Sequence, residues 1–298
     1  MRLLVTGGTV FVSRYTAEYF AGKGHEVYVL NRGSRPQSGN VAHIKADRRA
    51  LGNALKDMRF DAVLDVTAYM PEDVSCLLDG LGSFGDYILV SSSAVYPETL
   101  PQPFSEEQEC GRNTVWGDYG TDKLAAEKLL HSRFPGAYIL RPPYLYGPMD
   151  NLYREAFVFE CAEKVLPFYV PKDGSMPLQF CHVRDLCRFM EALLIKKPEQ
   201  RIYNTGNTCP VDINEWVRLC YAALGKAPEI RYVSADVPQR SYFPFYDYGY
   251  VLDVSAQNRL ISDLTPLSQG LREAYEWYRS NRELVRKKPL LEYIKSNF

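Results

Sequence analysis

Short apolar, β-branched runs alternating with helix-period segments constrain this chain more than any other feature. Over the first 141 residues the runs are Leu3 to Thr6, Val27 to Leu30, Ala62 to Val66, Tyr87 to Ser91 and Ala137 to Leu140, with a weaker one at Val41 to Ile44. Runs of this kind read as parallel strands buried on both faces. The segments between them, near 11–23, 49–57, 71–81 and 115–132, read as helices; Leu124, Leu129 and Leu130 mark the last on a helical spacing. Repeated βαβ units with right-handed crossovers predict an α/β chain, a Rossmann-like doubly wound parallel sheet.

After Arg141 the chain turns to Pro142, Pro143, Gly147 and Pro148 and becomes rich in tyrosine. Two units are expected, 1–146 and a smaller C-terminal lobe over 147–298. Helical segments at 183–197 and 267–282 should flank the sheet as well. The Arg286-Lys287-Lys288 run reads as a solvated helix face. Across the 298 residues, 35 Lys and Arg against 36 Asp and Glu leave a charge of −1, so nucleic acid is not an expected partner. The contents of 46% hydrophobic and 24% charged residues are ordinary for a globular domain. Seven scattered cysteines without a Cys-x-x-Cys and four dispersed histidines suggest neither a disulfide frame nor a metal site. No run of eighteen apolar residues suggests a membrane span, and Gly7 comes too early for a signal peptide, so a cytoplasmic protein is expected.

The first strand runs through Gly7-Gly8-Thr9-Val10-Phe11 into a helix. A helix start offers unpaired N–H groups and a positive dipole end to a pyrophosphate, and glycines let the backbone approach. This position predicts dinucleotide binding in 1–146. The usual spacing would also want glycines at 10 and 13, where this chain has Val10 and Ser13, which predicts weakened coenzyme affinity. The second strand ends Asn31-Arg32-Gly33-Ser34-Arg35 with no acid for a ribose 2′-hydroxyl. Arg32 and Arg35 suit a 2′-phosphate, so NADP is expected over NAD, with Asp47 meeting the adenine amino group.

Tyr119 and Lys123 stand four apart, on one face of the 115–132 helix. A phenol of pKa about 10 must fall toward about 7 to act as a base, a shift of roughly 4 kcal/mol to which a nearby cation contributes. The fifth strand ends Ser91-Ser92-Ser93-Ala94-Val95-Tyr96, placing hydroxyls where a doubly wound sheet presents its ligand crevice.

With these motifs the chain resembles the extended short-chain dehydrogenases/reductases, the NAD(P)-dependent sugar epimerase/dehydratase family. Carrying the resemblance further are Leu140-Arg141-Pro142, Tyr146-Gly147-Pro148, His182-Val183-x-Asp185-Leu186 and Tyr203-Asn204-x-Gly206-Asn207. It implies that Tyr119 is the acid/base, that Lys123 holds the nicotinamide ribose and lowers the Tyr119 pKa, and that Ser92, four before Tyr96, bonds the reacting oxygen. Coenzyme contacts are implied at Gly7 through Phe11, Ser91 and Pro142. Dehydratases and decarboxylases of the family carry a carboxylate two residues before the Tyr96 equivalent, and reductive epimerases a thiol; here that position is Ala94. Hydride transfer at a secondary alcohol, with or without re-reduction on the opposite face, is the chemistry left. An atypical branch that includes the chloroplast stem-loop binding proteins, which bind or cleave RNA, shares the Asn31-Arg32-Gly33 ending but often lacks the tyrosine that this chain keeps. Substrate contacts, expected to meet a nucleotide sugar or related polyol, are placed at Ser93, Tyr144, Asn151, Gln179 and Arg240, with Arg141, Met176 to Phe180 and the aromatic cluster Tyr242 to Tyr250 as further determinants. A homodimer through the helix bearing Tyr119 is implied by resemblance.

Overall fold

The computed structural model describes residues 1–298. In the first half β1 (Arg2–Thr6), α1 (Phe11–Gly22), β2 (Glu26–Asn31), β3 (Ala42–Lys45), β4 (Arg59–Asp65), α2 (Pro71–Gly80), β5 (Ser83–Val90), α3 (Asp118–Arg133) and β6 (Tyr138–Arg141) follow the alternation of apolar runs. The second half adds β7 (Tyr144–Tyr146), α4 (Glu155–Glu163), β8 (Phe168–Pro171), β9 (Pro177–Leu178), β10 (Phe180–His182), α5 (Val183–Lys196) and β11 (Ile202–Asn204). Beyond these lie β12 (Val211–Asp212), α6 (Ile213–Ala222), β13 (Ile230–Val233), α7 (Ser255–Asn258), α8 (Leu267–Ser280) and α9 (Leu290–Asn297).

Seven strands form one sheet in the order β11-β6-β5-β4-β1-β2-β3, and every pairing in it is parallel. The period of two along each strand sorts its side chains. Leu3, Val5, Val27 and Val29 pack under Ala17 and Phe20 of α1 and Leu186, Phe189 and Leu193 of α5. Leu4, Val63, Tyr87 and Leu89 point the other way, against Val74 and Leu77 of α2 and Ala126 and Leu130 of α3. Each such side chain stabilises the fold by roughly 1.5–3 kcal/mol on burial.

The later half builds its own core around Phe157, Phe168, Trp216, Phe243 and Phe245. Its seam with the sheet is Val95, Tyr96, Phe104, Tyr250, Leu252 and Val254. Asn204 pins that seam: its Oδ1 accepts from the Tyr96 hydroxyl at 2.8 Å and its Nδ2 donates to the Phe104 carbonyl at 2.9 Å. No helix is long and apolar enough to cross a membrane.

Three local expectations are corrected. Residues 49–57 form successive turns, not a helix: Gly52 sits at φ 53°, and the amides of Ala54, Lys56 and Met58 bond three residues back. Leu51 and Leu55 are buried from those turns. The 115–132 helix begins only at Asp118, because Gly117 at φ 54° interrupts it. The basic run 286–288 lies outside any helix, with Lys287 donating to Glu160 at 2.9 Å.

Candidate active site

Strand order reverses beside β1, so the crevice opens at the C-terminal ends of β1 and β4. Gly7 and Gly8 hold φ of 89° and 86° there. A Cβ on Gly8 would stand 2.5 Å from Val29 Cγ1, and one on Gly7 2.8 Å from Ser13 Oγ, so only glycines let the loop pack on β2 and α1. The two departures from the usual spacing now have a physical account. Val10 is ordinary extended chain at φ −140°, and Ser13 fits into the room Gly7 leaves, its hydroxyl donating to the Val10 carbonyl at 2.9 Å. The residue in an unfavourable conformation is Phe11, at φ 39°. The first turn of α1 carries neither an acid nor a side-chain cap. Its N–H groups therefore fit a dinucleotide pyrophosphate.

A cleft of about 600 Å³ continues from this loop between β2 and β4, lined by Gly7, Arg32, Asp47, Arg48, Thr67 and Tyr69. Arg32 belongs to it, but Arg35 does not: Arg35 lines a small hollow with Thr9, Val10, Phe11 and Asn151. The two arginines expected to share a phosphate are thus divided. Asn31 braces the loop, its Nδ2 donating to the Gly7 carbonyl at 2.6 Å and its Oδ1 accepting from the Gly33 amide at 2.9 Å. Asp47 Oδ1 accepts from the Arg49 amide at 2.9 Å. The floor of the cleft holds a pair that the sequence reading missed: Arg48 donates to both oxygens of Asp65 at 3.1 and 2.7 Å. Thr6 and Tyr87 donate to the same carboxylate at 2.8 and 2.6 Å. These partners hold the fully buried Asp65 below the usual carboxylate range despite desolvation. An acid inside the apolar run Ala62 to Val66 was the signal for it.

At the end of β5, Ser92 Oγ accepts from the Ala94 amide at 3.1 Å, which starts a single helical turn, and its hydroxyl lies near enough to the Tyr119 phenol to lower its pKa. Ser91 is buried with its hydroxyl unpaired. Lys123 is only 3% exposed and donates to the carbonyls of Ala68 at 2.7 Å and Val90 at 3.0 Å. Its ammonium stands 6.0 Å from the centre of the Tyr119 ring. Serine, phenol and ammonium therefore share one corner, beside the crevice.

The electrostatics differ from the expectation that Lys123 lowers the Tyr119 pKa. Although Tyr119 is 42% exposed, desolvation of its phenol raises it, the nearby Ser92 hydroxyl lowers it, and Tyr69 raises it again. Lys123 itself is brought down to about 8 by burial, against the attraction of Asp65 and Glu127. With its donors committed to two carbonyls, the ammonium does not offset the desolvation of its neighbour.

On the substrate side, Ser93 is tied into the backbone, its hydroxyl donating to the Tyr250 hydroxyl at 3.0 Å and its amide to the Pro142 carbonyl at 3.0 Å. Tyr144 keeps a buried, unpaired hydroxyl under Arg154, whose guanidinium lies 5.7 Å from its ring centre. Arg240 caps the Tyr246 ring at 4.6 Å. Burial lowers the pKa of Arg240, and Arg154 lowers it further; burial, Arg240 and Arg154 do the same to Lys288. Arg154 is paired with Asp150 at 2.9 Å, whereas Arg240 and Lys288 have no carboxylate partner and suit an anion. Neither Arg154 nor Lys288 was expected here; the aromatic cluster around them was the available signal.

Other expected substrate contacts are occupied. Gln179 donates to the Asn207 carbonyl at 2.8 Å and accepts from the Leu252 amide at 2.7 Å. Asn151 instead lines the small hollow with Thr9, Val10 and Phe11, its buried Nδ2 unpaired. Arg141 is buried in a forked pair with Glu127, 2.6 Å at its shortest, and donates to the Tyr96 hydroxyl at 3.0 Å. It is a structural strut and touches no substrate crevice.

The chain is similar to known proteins in sequence and in fold. The chloroplast stem-loop binding protein of 41 kDa b from Arabidopsis thaliana is 26% identical over 299 residues, covering 92% of this chain and 78% of its own length. Among solved structures, dTDP-glucose 4,6-dehydratase from Bacillus anthracis in complex with NAD aligns with a TM-score of 0.76 at 20% identity, over 97% of this chain and 99% of its own. UDP-glucuronic acid 4-epimerase from Bacillus cereus, in complex with UDP-glucuronic acid and NAD, aligns with a TM-score of 0.73 at 19% identity, over 94% and 99%. These two share the fold. The profile of the NAD dependent epimerase/dehydratase family matches residues 3–81 and 77–206, and the chain belongs to that family.

Proposed function

We propose that this protein transfers hydride between a nicotinamide coenzyme and a secondary alcohol of a nucleotide sugar or related polyol, acting as an epimerase or a simple oxidoreductase. The observation that carries this reading is the meeting of Ser92, Tyr119 and Lys123 beside a glycine loop fitted to a dinucleotide. Bound at the loop, the coenzyme supplies a nicotinamide ring that accepts or returns a hydride. Ser92 holds the reacting oxygen and Tyr119 takes its proton during oxidation, returning it during reduction. Lys123 orients the nicotinamide ribose. Ala94, buried two residues before Tyr96, gives no carboxylate for elimination, so the dehydratase branch is disfavoured.

The nucleotide sugar is supported by Arg240 and Lys288, cations without a carboxylate partner that suit a phosphate, and by relatives such as the epimerase crystallised with UDP-glucuronic acid. The unpaired Arg32 in the adenosine cleft supports NADP, although the solved relatives carry NAD. A homodimer completes the reading by family likeness. RNA binding is disfavoured because cations along the α1–α5 groove are already paired, Lys23 with Glu191, Arg184 with Glu273 and Arg188 with Asp185 and Asp263. The test is a coenzyme titration followed by a screen of nucleotide sugars read in the nicotinamide absorbance band. Turnover of a nucleotide sugar supports the reading; tight RNA retention without hydride transfer overturns it.

A further inference from the structure

The Tyr119–Lys123 pair has a third member. Tyr69, on the loop between β4 and α2, places its ring 4.8 Å from the Lys123 ammonium, closer than the ring of Tyr119 at 6.0 Å. The two tyrosine rings are 6.3 Å apart and inclined at 51°. Lys123 has three N–H groups and directs two hydrogen bonds, to the carbonyls of Ala68 and Val90. The face of Tyr69 lies against the same ammonium. Tyr69 is 55% exposed and lines the coenzyme cleft, so one side chain touches both the cleft and the buried cation. Asp73, at the start of α2, fixes the backbone beside it by accepting from the Tyr69 amide at 2.9 Å.

We propose that Tyr69 is a positioning residue that holds Lys123 charged and aimed at the coenzyme cleft through contact of its ring face with the ammonium. The inference rests on the proposed hydride-transfer function. A ring face attracts a cation through its quadrupole, more strongly where the cation is desolvated, and Lys123 is nearly fully buried. The ammonium lacks a carboxylate in direct contact. The other charged groups facing it are Asp65 from β4, Glu127 from its own helix and Asp73 from α2, which favour the charged form, and Arg48 from the loop after β3, which opposes it. Burial has already brought Lys123 down to about 8, so a change in any of these neighbours falls in an accessible pH range. Loss of the ring lowers Lys123 further and frees its side chain to turn. The hydroxyl of Tyr69 makes no hydrogen bond to Lys123, which is why the ring and not the phenol is the active part.

The test is NADPH affinity, by nicotinamide fluorescence, across pH 6 to 10 for wild type, Tyr69→Phe and Tyr69→Leu, with thermal melts of all three. Wild type should lose affinity as the pH rises through the Lys123 titration. Tyr69→Leu should lose it about half a pH unit earlier, the size expected for one cation–π contact, and Tyr69→Phe should keep the wild-type midpoint. A Tyr69→Leu curve superposed on wild type, or a Tyr69→Phe curve shifted as far as Tyr69→Leu, overturns the proposal. Absence of both NADPH and NADH binding to wild type overturns the functional reading instead, and if only NADH binds, the same titrations are run with NADH under the same criteria. If Tyr69→Leu fails to fold, Tyr69→Met, which keeps bulk without a ring, takes its place under the same criteria.

Discussion

Ser92, just past the end of β5, stands beside the Tyr119 phenol near the start of α3, and its hydroxyl lowers the phenol against desolvation. The phenol remains raised, so it is protonated at neutral pH and serves first as an acid. Oxidation of an alcohol, which needs the phenolate, should therefore rise with pH, while reduction should not. Ser92→Ala should move the oxidation limb to higher pH as well as reduce its height, by roughly 10–100-fold, as expected for a lost oxyanion-type donor. A pH–rate profile in both directions checks this; an oxidation limb unmoved in Ser92→Ala counts against the contact.

Coenzyme choice should depend on Arg32 far more than on Arg35, because only Arg32 lines the adenosine cleft. Arg32→Ala should weaken NADPH roughly 10-fold or more, the loss of a charge-assisted contact of about 1.5–3 kcal/mol, and leave NADH nearly unchanged. Arg35→Ala should treat both coenzymes alike. Parallel fluorescence titrations decide it.

Much of this arrangement is legible from sequence. The sheet follows from apolar runs and the catalytic corner from Tyr119, Lys123 and the serines, since spacing on one helix and position at a strand end are local properties. What escapes is whatever depends on distant partners. Arg141 reads as a substrate arginine until Glu127 is found beside it. Helix α4 is buried on nearly every side, so its sequence lacks the polar face that would announce a helix. Arg48 and Asp65 stand 17 residues apart and meet only because β4 lies beside β1 and the loop after β3 folds over them.

The Arg141–Glu127 pair gives a stability test. Both side chains are almost wholly buried. Removing one partner strands the other charge, so Arg141→Leu or Glu127→Leu should each cost about 3–5 kcal/mol, while the double replacement should recover much of it. Thermal or urea unfolding of the three variants measures this.

Two carboxyl groups on α4 should give opposite pH responses. Burial pushes Glu155 up, with Arg154 opposing and the coupled Asp150 raising it further. Its folded value lies above the unfolded one, so stability declines as the pH rises above about 4.5. Glu160 is desolvated too, but Lys164, Lys287 and Tyr153 hold it down to about 2. Its contribution is whole above about 4.5 and is lost as the pH falls toward 2. Unfolding midpoints measured against pH should flatten on the alkaline side in Glu155→Gln and on the acid side in Glu160→Gln.

The most direct measurement compares wild type with Tyr119→Phe in a single-turnover mixture of bound coenzyme and a nucleotide sugar found active in the screen, followed in the nicotinamide band. Wild type should show hydride transfer, and Tyr119→Phe should bind coenzyme with unchanged affinity yet transfer hydride at least 100-fold more slowly, the lower end of the range for a lost acid/base. Equal transfer rates in the two proteins would contradict the account.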